Sequence, residues 1–227
     1  LTLALNRKQL VDNVTKGGQL PATGFVPKGV NDADGKDFAG KKIYIKDNDV
    51  ETAKKLLAEA GYPDGKGFPK IEYRYNTSEG HKSIAEAVQG MWKKNLGIDI
   101  EIKNEEWKVF QVSRTEKKTQ IARDGWIGDY MDPNTFLELL VSNNGNNNSG
   151  YNNPKYDEKV NAAKKEVDVA KRMQLLHDAE AILMEDMPVL PLYFYTNVVA
   201  IKPYIKGYSK APTGATYFDR MYLLEKK

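Results

Sequence analysis

The first half of the chain alternates between strand-like and helical spacing of its apolar residues. Residues 71–75 and 98–102 alternate apolar and polar side chains, which predicts two strands that each bury one face. Between them, apolar residues recur three and four positions apart over 79–96, and Gly97 follows as a stop signal, so an amphipathic helix is predicted. A further helix is predicted over 105–117. The order strand, helix, strand, helix predicts an α/β lobe, in which ligands tend to lie beyond the carboxyl ends of the strands.

Two more helices are predicted before this region. Asn6 and Asp49 are predicted N-caps, because their short polar side chains can accept hydrogen bonds from the first free amides of a helix. These helices are predicted to end near Gly17 and Gly61. Residues 19–41 lie between them, with prolines, glycines and little periodicity, so they are predicted to form a long surface loop.

The second half is predicted to be mainly helical, with a strand near each end. The first strand is predicted over 120–126, and Asp132 and Pro133 then introduce a helix that continues through Leu140. Two further helices are predicted over 154–167 and 170–187. The apolar stretch 189–201 is strand-like.

Composition excludes several classes of function. With 41% hydrophobic and 29% charged residues, the sequence is typical of a globular protein, and no apolar run approaches the length needed to cross a bilayer. The 34 basic and 31 acidic residues are interspersed, which gives little support for nucleic-acid binding. The sequence has no cysteine and only two histidines, so disulfides and thiolate sites are excluded and a zinc site would depend on carboxylates. No cofactor is predicted.

The amino terminus is unusual for a complete protein. Residues 1–5 form an apolar run without a starting methionine, a basic leader or a small-residue cleavage site. We therefore expect this chain to be a fragment from the interior of a longer protein.

The segment 123–130, RDGWIGDY, combines features that suit ligand contact. Its two glycines expose backbone beside Arg123, Trp126 and Asp129, which offer a cation, an aromatic ring and a carboxylate. A structural interpretation is also available, in which Trp126 is a core residue and Asp129 shapes a turn. On these residues alone the structural interpretation is favoured, and both remain open.

Other polar features have simpler structural interpretations. His177 lies within a predicted helix without a metal-spaced partner, and the asparagine-rich loop 142–153 has a composition that favours turns. Asp124, Asp129 and Asp132 could supply a carboxylate pair for glycoside hydrolysis, but no apolar pocket that would raise one pKa is evident. The chain also lacks the phosphate-loop, nucleophile-elbow, zinc-protease and dinucleotide motifs. We predict that it is not an enzyme.

A colinear series of short motifs resembles one known family. The motifs are, in order, ALNR at 4–7, KGG at 16–18, YNTS at 75–78, WKKNLG at 92–97, EW at 106–107, RDGWIGDY at 123–130 and VLPLY at 189–193. Their order and spacing resemble those of the oligopeptide-binding proteins, which are solute-binding receptors of ABC importers. The resemblance covers nearly the whole chain. It implies an α/β fold that forms one lobe of a two-lobed periplasmic-binding-protein-like structure (class II, peptide-binding), with a mixed sheet flanked by helices.

The resemblance also implies a ligand site. Asp129 falls where the family's aspartate pairs with the α-ammonium of the peptide, and Arg123 and Trp126 match ligand-contacting positions. The strand that contains them would hydrogen-bond an extended peptide backbone. Arg114 and His81 fall where the family has cations that meet the terminal carboxylate at different peptide lengths, although each also fits an ordinary role on its helix.

The same resemblance implies domain boundaries and partners. Residues 1–193 would form the peptide-binding lobe, and residues 194–227 would return to the other, mostly absent lobe. The expected partners are short peptides, the membrane subunits of an ABC permease and the missing N-terminal lobe, but not nucleic acid. The expected location is the periplasm or the outer face of the cell membrane, with a lipid anchor in a Gram-positive bacterium. Alternatives are a receptor for a nickel complex or an oligosaccharide and, more remotely, a carbohydrate-active hydrolase.

Overall fold

The computed structural model describes residues 1–40 and 42–225, so Lys41 at the end of the predicted loop and Lys226 and Lys227 in the predicted return segment lie outside the described residues. The α-helices are α1 (Arg7–Gln9), which continues as a π-helix (Leu10–Thr15), α2 (Val50–Glu59), α3 (Glu79–Leu96), α4 (Trp107–Thr115), α5 (Asn134–Leu137), α6 (Pro154–Ala163) and α7 (Val169–Asp186). Short 3-10 helices are formed by Thr2–Ala4, Phe38–Gly40, Pro63–Gly65 and Glu138–Leu140. The strands are β1 (Leu20–Pro21), β2 (Ile71–Asn76), β3 (Ile100–Glu105), β4 (Ile121–Ala122), β5 (Tyr193–Phe194), β6 (Ile205–Lys206), β7 (Ser209–Lys210), β8 (Thr216–Tyr217) and β9 (Tyr222–Leu223).

A three-stranded parallel sheet, in the order β3–β2–β4, organises the first half of the chain. Tyr73 in the middle of β2 pairs with Ile102 of β3 and with Ile121 of β4. Because the strands run in one direction, their carboxyl ends meet at one edge. The α/β prediction is confirmed. The sheet itself is not mixed, however, since the antiparallel pairs described are separate two-stranded ladders, β1–β5, β6–β9 and β7–β8.

Helix α3 packs on this sheet, as its periodicity predicts. Its buried residues are Ile84, Ala85, Val88, Trp92 and Leu96, which follow one helical face. They belong to the same apolar cluster as Tyr73 and Tyr75 of β2. Gly97 ends the helix with φ at 71°, a left-handed conformation that glycine adopts without steric cost.

A second apolar cluster lies among α5, α6 and α7. Val26 and Phe38, from the long loop, are buried in it together with residues of these helices. The loop is fixed to α7 by Glu180, whose Oε1 accepts hydrogen bonds from the amides of Phe25 and Val26, each at 2.9 Å. Burial raises the pKa of Glu180, and these two amides oppose that rise. The loop predicted from composition is therefore an ordered cover over a helical core.

Two predicted strands are much shorter than expected. The strand predicted over 120–126 ends at Ala122, because β4 is an edge strand and the glycines that follow do not favour its continuation. The strand-like stretch 189–201 contains only β5, which pairs with the two residues of β1. One of those residues is Pro21, which has no amide hydrogen with which to extend a ladder.

The terminal part of the chain differs from the rest in burial. No described residue after Met184 is buried. Several apolar side chains there are strongly exposed, among them Val198, Phe218 and Leu223. The predicted terminal strand over 221–224 is present as β9, paired with β6. The assignment of residues 194–227 to another lobe stays a prediction.

Arg7 is fully buried and joins three distant parts of the chain. Its Nε donates to the carbonyl of Pro191 at 2.8 Å, and its Nη1 and Nη2 donate to the carbonyl and hydroxyl of Thr2 at 3.0 and 2.6 Å. Its backbone amide donates to Asp47 Oδ1 at 2.7 Å, and Nη1 lies 3.5 Å from the same atom. Burial lowers the pKa of Arg7, and Asp47 opposes that shift, so the side chain stays charged.

We expect Arg7→Ala to lower the free energy of unfolding by about 3 kcal/mol or more, because it leaves the carbonyls of Thr2 and Pro191 and the Asp47 carboxylate without their partner. Urea denaturation followed by circular dichroism measures the change. Arg220→Ala is the matched control, since the Arg220 side chain is 86% exposed and its removal should alter stability little. Equal stability of the two variants would contradict the structural role of Arg7.

Candidate functional site

Two of the residues predicted to bind ligand, Arg123 and His81, lie at the carboxyl ends of β4 and β2. Arg123 follows β4 directly, and its amide donates to the carbonyl of Arg74 at 2.8 Å, which extends the ladder by one bond. His81 lies in the first turn of α3, and its Nδ1 is 3.2 Å from the carbonyl oxygen of Asn76 at the end of β2. This is the edge at which α/β sheets commonly bind ligands.

Arg123 carries a positive charge that no described carboxylate neutralises. Its Nη2 donates to the hydroxyl of Tyr195 at 2.7 Å, and it makes no ion pair with a described residue. Burial raises the pKa of Tyr73 and of Tyr193 to about 12 each, against the opposing charge of Arg123, so both phenols are neutral at physiological pH. The guanidinium therefore lies among neutral tyrosines.

His81 is close enough to Arg123 to be affected by its charge. Burial lowers the pKa of His81 most, and the positive charge of Arg123 lowers it further, while the hydrogen bond to Asn76 opposes both effects. The imidazole is therefore neutral near pH 7. Because a carbonyl only accepts hydrogen bonds, Nδ1 carries the hydrogen and Nε2 is the unprotonated nitrogen.

A cavity of about 390 Å³ opens beside His81. It is lined by Val14, Thr15, Gln19, Ser78, Glu79, Gly80, His81, Ser83, Ile84 and Tyr193. The start of α3 forms part of this wall, and the side chain of its N-cap residue Ser78 does not bond to the helix amides. The uncapped helix start and the positive charge of the nearby Arg123 favour an anion in this cavity, whereas the carboxylate of Glu79 in the same wall disfavours one.

Arg114 has a different environment from Arg123. It forms an ion pair with Asp124, its side chain is only 15% exposed, and its guanidinium carbon lies 5.8 Å from the centre of the Phe110 ring. A ligand carboxylate at Arg114 would have to displace or join Asp124. The structure thus leaves one of the two predicted arginines free of a carboxylate partner and pairs the other.

The segment after Arg123 has unused backbone groups. Among the described residues, the amides and carbonyls of residues 126–128 make no hydrogen bond. This segment is not a strand, contrary to the prediction, but its backbone groups remain available to pair with another chain.

Gly128 packs tightly, because a Cβ there would lie 2.9 Å from the Phe136 ring and 2.9 Å from the Thr135 methyl group. The Trp126 ring is partly buried and packs against the second apolar cluster, and its contact with a ligand stays a prediction.

Asp129 ends this segment with an exposed carboxylate. Its amide donates to Thr135 Oγ1 at 3.0 Å, which anchors the backbone. The carboxylate itself makes no ion pair or hydrogen bond with any residue that the structure describes. Asp129 and Arg123 are therefore opposite charges, both without charged partners, at the two ends of a segment with free backbone groups.

The other polar candidates have structural roles. His177 Nε2 lies 2.6 Å from Asp32 Oδ2, and its ring stacks on Phe38 at 3.8 Å. In the asparagine-rich loop, the side chain of Asn147 donates to the carbonyl of Tyr151 at 2.8 Å, as expected of a turn. Asp132 accepts two hydrogen bonds from Arg172, at 2.7 and 2.8 Å.

Two of the three aspartates considered for glycoside hydrolysis have arginine partners. Asp124 and Asp132 both pair with arginines, which leaves Asp129 as the single uncommitted member of the acidic trio. Within the described ranges, no group of three or more acidic or histidine side chains could hold a metal ion. The helices described are also too short or too polar to span a bilayer.

Tyr195 is a site residue that sequence reasoning missed. Its contact with Arg123 joins positions 72 residues apart, and it lies just beyond the short strand β5. The repeated tyrosines at 193 and 195 were the only local signal, because alternate residues of an extended segment do share a face.

We expect Arg123→Gln to raise the pKa of His81, because the substitution removes the positive charge that disfavours protonation of the imidazole. NMR titration of the imidazole signals measures the shift. Lys155→Gln on α6 removes the same charge from a group that does not act on His81, so it should leave this pKa unchanged. Identical titration curves for His81 in the two variants would contradict the proximity of Arg123.

Comparison with known proteins identifies the family of this chain. The profile of the bacterial extracellular solute-binding proteins, family 5 (middle), matches residues 1–148. The oligopeptide-binding protein OppA of Bacillus subtilis (strain 168) is 44% identical over 230 residues, which cover 98% of this chain and 41% of that protein. The periplasmic murein peptide-binding protein MppA of Escherichia coli (strain K12) is 38% identical over 226 residues, which cover 99% of this chain and 42% of that protein.

Solved structures give the same result. Haemophilus influenzae OppA, in a crystal structure of its complex with RPPGFSPFR, superposes with a TM-score of 0.81 at 34% identity, over 99% of this chain and 44% of that one. The chain thus spans about two fifths of the length of the relatives that it matches. The family profile covers more than half of the chain, and so this chain belongs to family 5 of the bacterial extracellular solute-binding proteins.

Proposed function

We propose that this chain is the peptide-contacting part of a receptor that captures short peptides in extended form. The observation that carries the proposal is the segment 123–129, in which free backbone groups lie between an unneutralised arginine and an unneutralised aspartate. Six residues of extended chain span at most about 20 Å, which is the scale of a peptide of a few residues. A zwitterionic peptide matches this pattern of charges.

Asp129 is proposed to bind the α-ammonium group of the peptide. Its exposed carboxylate has no competing cation among the described residues, and its backbone is held by Thr135. An ammonium group bound by a carboxylate forms a charge-assisted hydrogen bond, which is stronger than a neutral one and becomes stronger still when water is excluded.

Residues 126–128 are proposed to pair with the peptide backbone. Strand addition of this kind uses amide and carbonyl groups that every peptide has, so it gives affinity without selecting a sequence. The ring of Trp126 is partly buried and packs against the second apolar cluster, which restrains the position of this edge. Preorganised backbone groups lose less conformational entropy on binding.

Arg123 and His81 are proposed to bind the terminal carboxylate, with Arg114 as a further cation for peptides of another length. Arg123 can donate at once, since it has no carboxylate partner. His81 must first be protonated at Nε2, because its Nδ1 hydrogen already faces Asn76. A bound carboxylate would therefore raise the pKa of His81, and binding through this residue would take up a proton.

The rest of the proposed receptor follows from family membership. We propose that residues 1–193 form the peptide-binding lobe, that residues 194–227 belong with a second lobe, and that the two lobes close over the ligand. The proposed partner for delivery is the membrane part of an ABC importer, at the periplasmic or outer face of the cell membrane, with a lipid anchor if the organism is Gram-positive. The matching family and relative are named as solute-binding and oligopeptide-binding proteins, which supports the proposal that this chain binds its ligand without catalysing a reaction.

Other solutes fit the charges less well. A neutral oligosaccharide would leave both Arg123 and Asp129 unmatched. A nickel complex with anionic ligands would satisfy Arg123 but not Asp129. The exposed carboxylate of Asp129 therefore favours a ligand with a free ammonium group.

We expect Asp129→Asn to weaken binding of a free tripeptide by about 10- to 100-fold, because the ammonium group loses its charged partner. The N-acetylated tripeptide should bind more weakly to the unsubstituted protein and should lose little further affinity in the variant. Isothermal titration calorimetry on the full-length protein measures all four affinities.

Glu51→Gln is the control for this experiment, since Glu51 is an exposed carboxylate on α2 and should not affect either peptide. Equal affinities in all four combinations would contradict pairing of Asp129 with the peptide ammonium.

We also expect the affinity for free tripeptides to fall as the pH rises between about 5 and 8, because His81 is neutral in the free protein and protonated in the complex. Calorimetry in two buffers with different ionisation enthalpies measures the proton uptake directly. His81→Gln should abolish this uptake. The same uptake in the variant as in the unsubstituted protein would show that another group is responsible.

A further inference from the structure

The orientation of Arg123 depends on a neutral hydroxyl group from a distant part of the chain. Arg123 Nη2 donates to Tyr195 Oη at 2.7 Å, and no described carboxylate pairs with the guanidinium. A carboxylate in the place of this hydroxyl would also orient the guanidinium, but it would neutralise the charge and compete with an anionic ligand. A phenol accepts the hydrogen bond and leaves the positive charge available.

Gly125 provides the space that Tyr195 occupies. A Cβ on Gly125 would lie 2.7 Å from Tyr195 Oη, 3.3 Å from its Cε2 and 3.4 Å from Arg123 Nη2. The first distance is shorter than real Cβ contacts, so any larger residue would displace the phenol, the guanidinium or the backbone. A side chain at 125 would therefore move the end of the Tyr195 ring away from its present position, and it is this contact, not the backbone conformation, that favours glycine.

The ring of Tyr195 is supported from one side. Tyr193 meets it edge to face, with ring centres 5.5 Å apart and planes at 86°. Tyr193 is held in β5, where it pairs with Pro21 of β1. The residue after Tyr195, Thr196, donates its hydroxyl hydrogen to the carbonyl of Gly17 at 2.7 Å. Tyr195 is thus fixed by its neighbours although 49% of its surface is exposed.

We propose that Tyr195 is the positioning residue for Arg123 and that Gly125 is the residue that admits it. This inference rests on the proposed function, in which Arg123 binds the carboxylate of a peptide. Tyr195 then affects the affinity for peptides with a free carboxyl terminus by orienting Arg123. Because the phenol is neutral, the guanidinium keeps its full positive charge for the ligand. It also makes carboxylate recognition depend on the segment that follows β5.

The test compares peptides with free and amidated carboxyl termini, bound by the full-length protein and its Tyr195→Phe variant. We expect Tyr195→Phe to weaken binding of the free peptide by about three- to tenfold, which is the scale of the net contribution of one ordinary hydrogen bond. Binding of the amidated peptide should be unchanged, because it has no carboxylate for Arg123. A purely structural role for the phenol would lower both affinities equally, and that result would overturn the proposal.

Two further variants sharpen the test. Gly125→Ala should reproduce the selective loss, whereas Tyr62→Phe, which removes a hydroxyl without a hydrogen-bond partner among the described residues, should change neither affinity. Tyr195→Phe should have no further effect when Arg123 is already replaced by alanine, and an additive effect in the double variant would overturn the proposal.

Failure of this inference can be told apart from failure of the proposed function. If the unsubstituted protein binds no peptide, both are wrong. If it binds, and Arg123→Ala removes the preference for a free carboxylate while Tyr195→Phe does not, the positioning role alone is wrong.

Discussion

The burial of one arginine side chain determines how the parts of this chain meet. Arg7 is removed from water, and it stays charged because the carbonyls of Thr2 and Pro191, the Thr2 hydroxyl and Asp47 surround it with acceptors. These acceptors come from three distant segments. Pro191, which accepts a hydrogen bond from Arg7, lies two residues before the start of β5. The position of Tyr193 in β5 therefore depends on Arg7. Tyr195, and through it Arg123, depends on the same contact.

Arginines elsewhere in the fold, which we call the framework, are paired with carboxylates, whereas Arg123 and Asp129 of the candidate site have no charged partner among the described residues. Arg74 pairs with Glu72 and Glu105, and Arg172 binds Asp132 through two hydrogen bonds. These pairs satisfy each guanidinium with carboxylates and make the framework rigid. At the candidate site, Arg123 instead meets a phenol, and Asp129 meets no described cation. Charges that are oriented but not neutralised are what a site for a zwitterion requires, because each can still bind a group of opposite charge.

Local pattern predicted the parts of the fold whose partners are near in sequence or whose periodicity is strong. β2 follows from alternating apolar residues, α3 from apolar residues three and four positions apart, and its end from Gly97, because β2 and α3 each bury one face. The strands predicted over 120–126 and 189–201 were too long, because an edge strand continues only as far as its neighbour allows, and that neighbour cannot be read locally. The positions of Arg123 and His81 at the carboxyl edge followed from the α/β order, but the free state of Arg123 and the pairing of Arg114 with Asp124 did not. The role of Tyr195 needed the structure, since its partner is 72 residues away.

The same long-range contacts affect the order in which the chain can fold. Arg7 bonds to Pro191 across 184 residues, and Leu20 of β1 pairs with Phe194 of β5. Contacts between residues so far apart close large loops, which makes them slow to form. During synthesis, the sheet and α3 can form before residue 191 leaves the ribosome, whereas the Arg7 contacts and the tyrosines around Arg123 cannot. The candidate site is therefore completed late, and a chain interrupted before β5 would retain Arg123 and Asp129 without the contacts that orient the arginine.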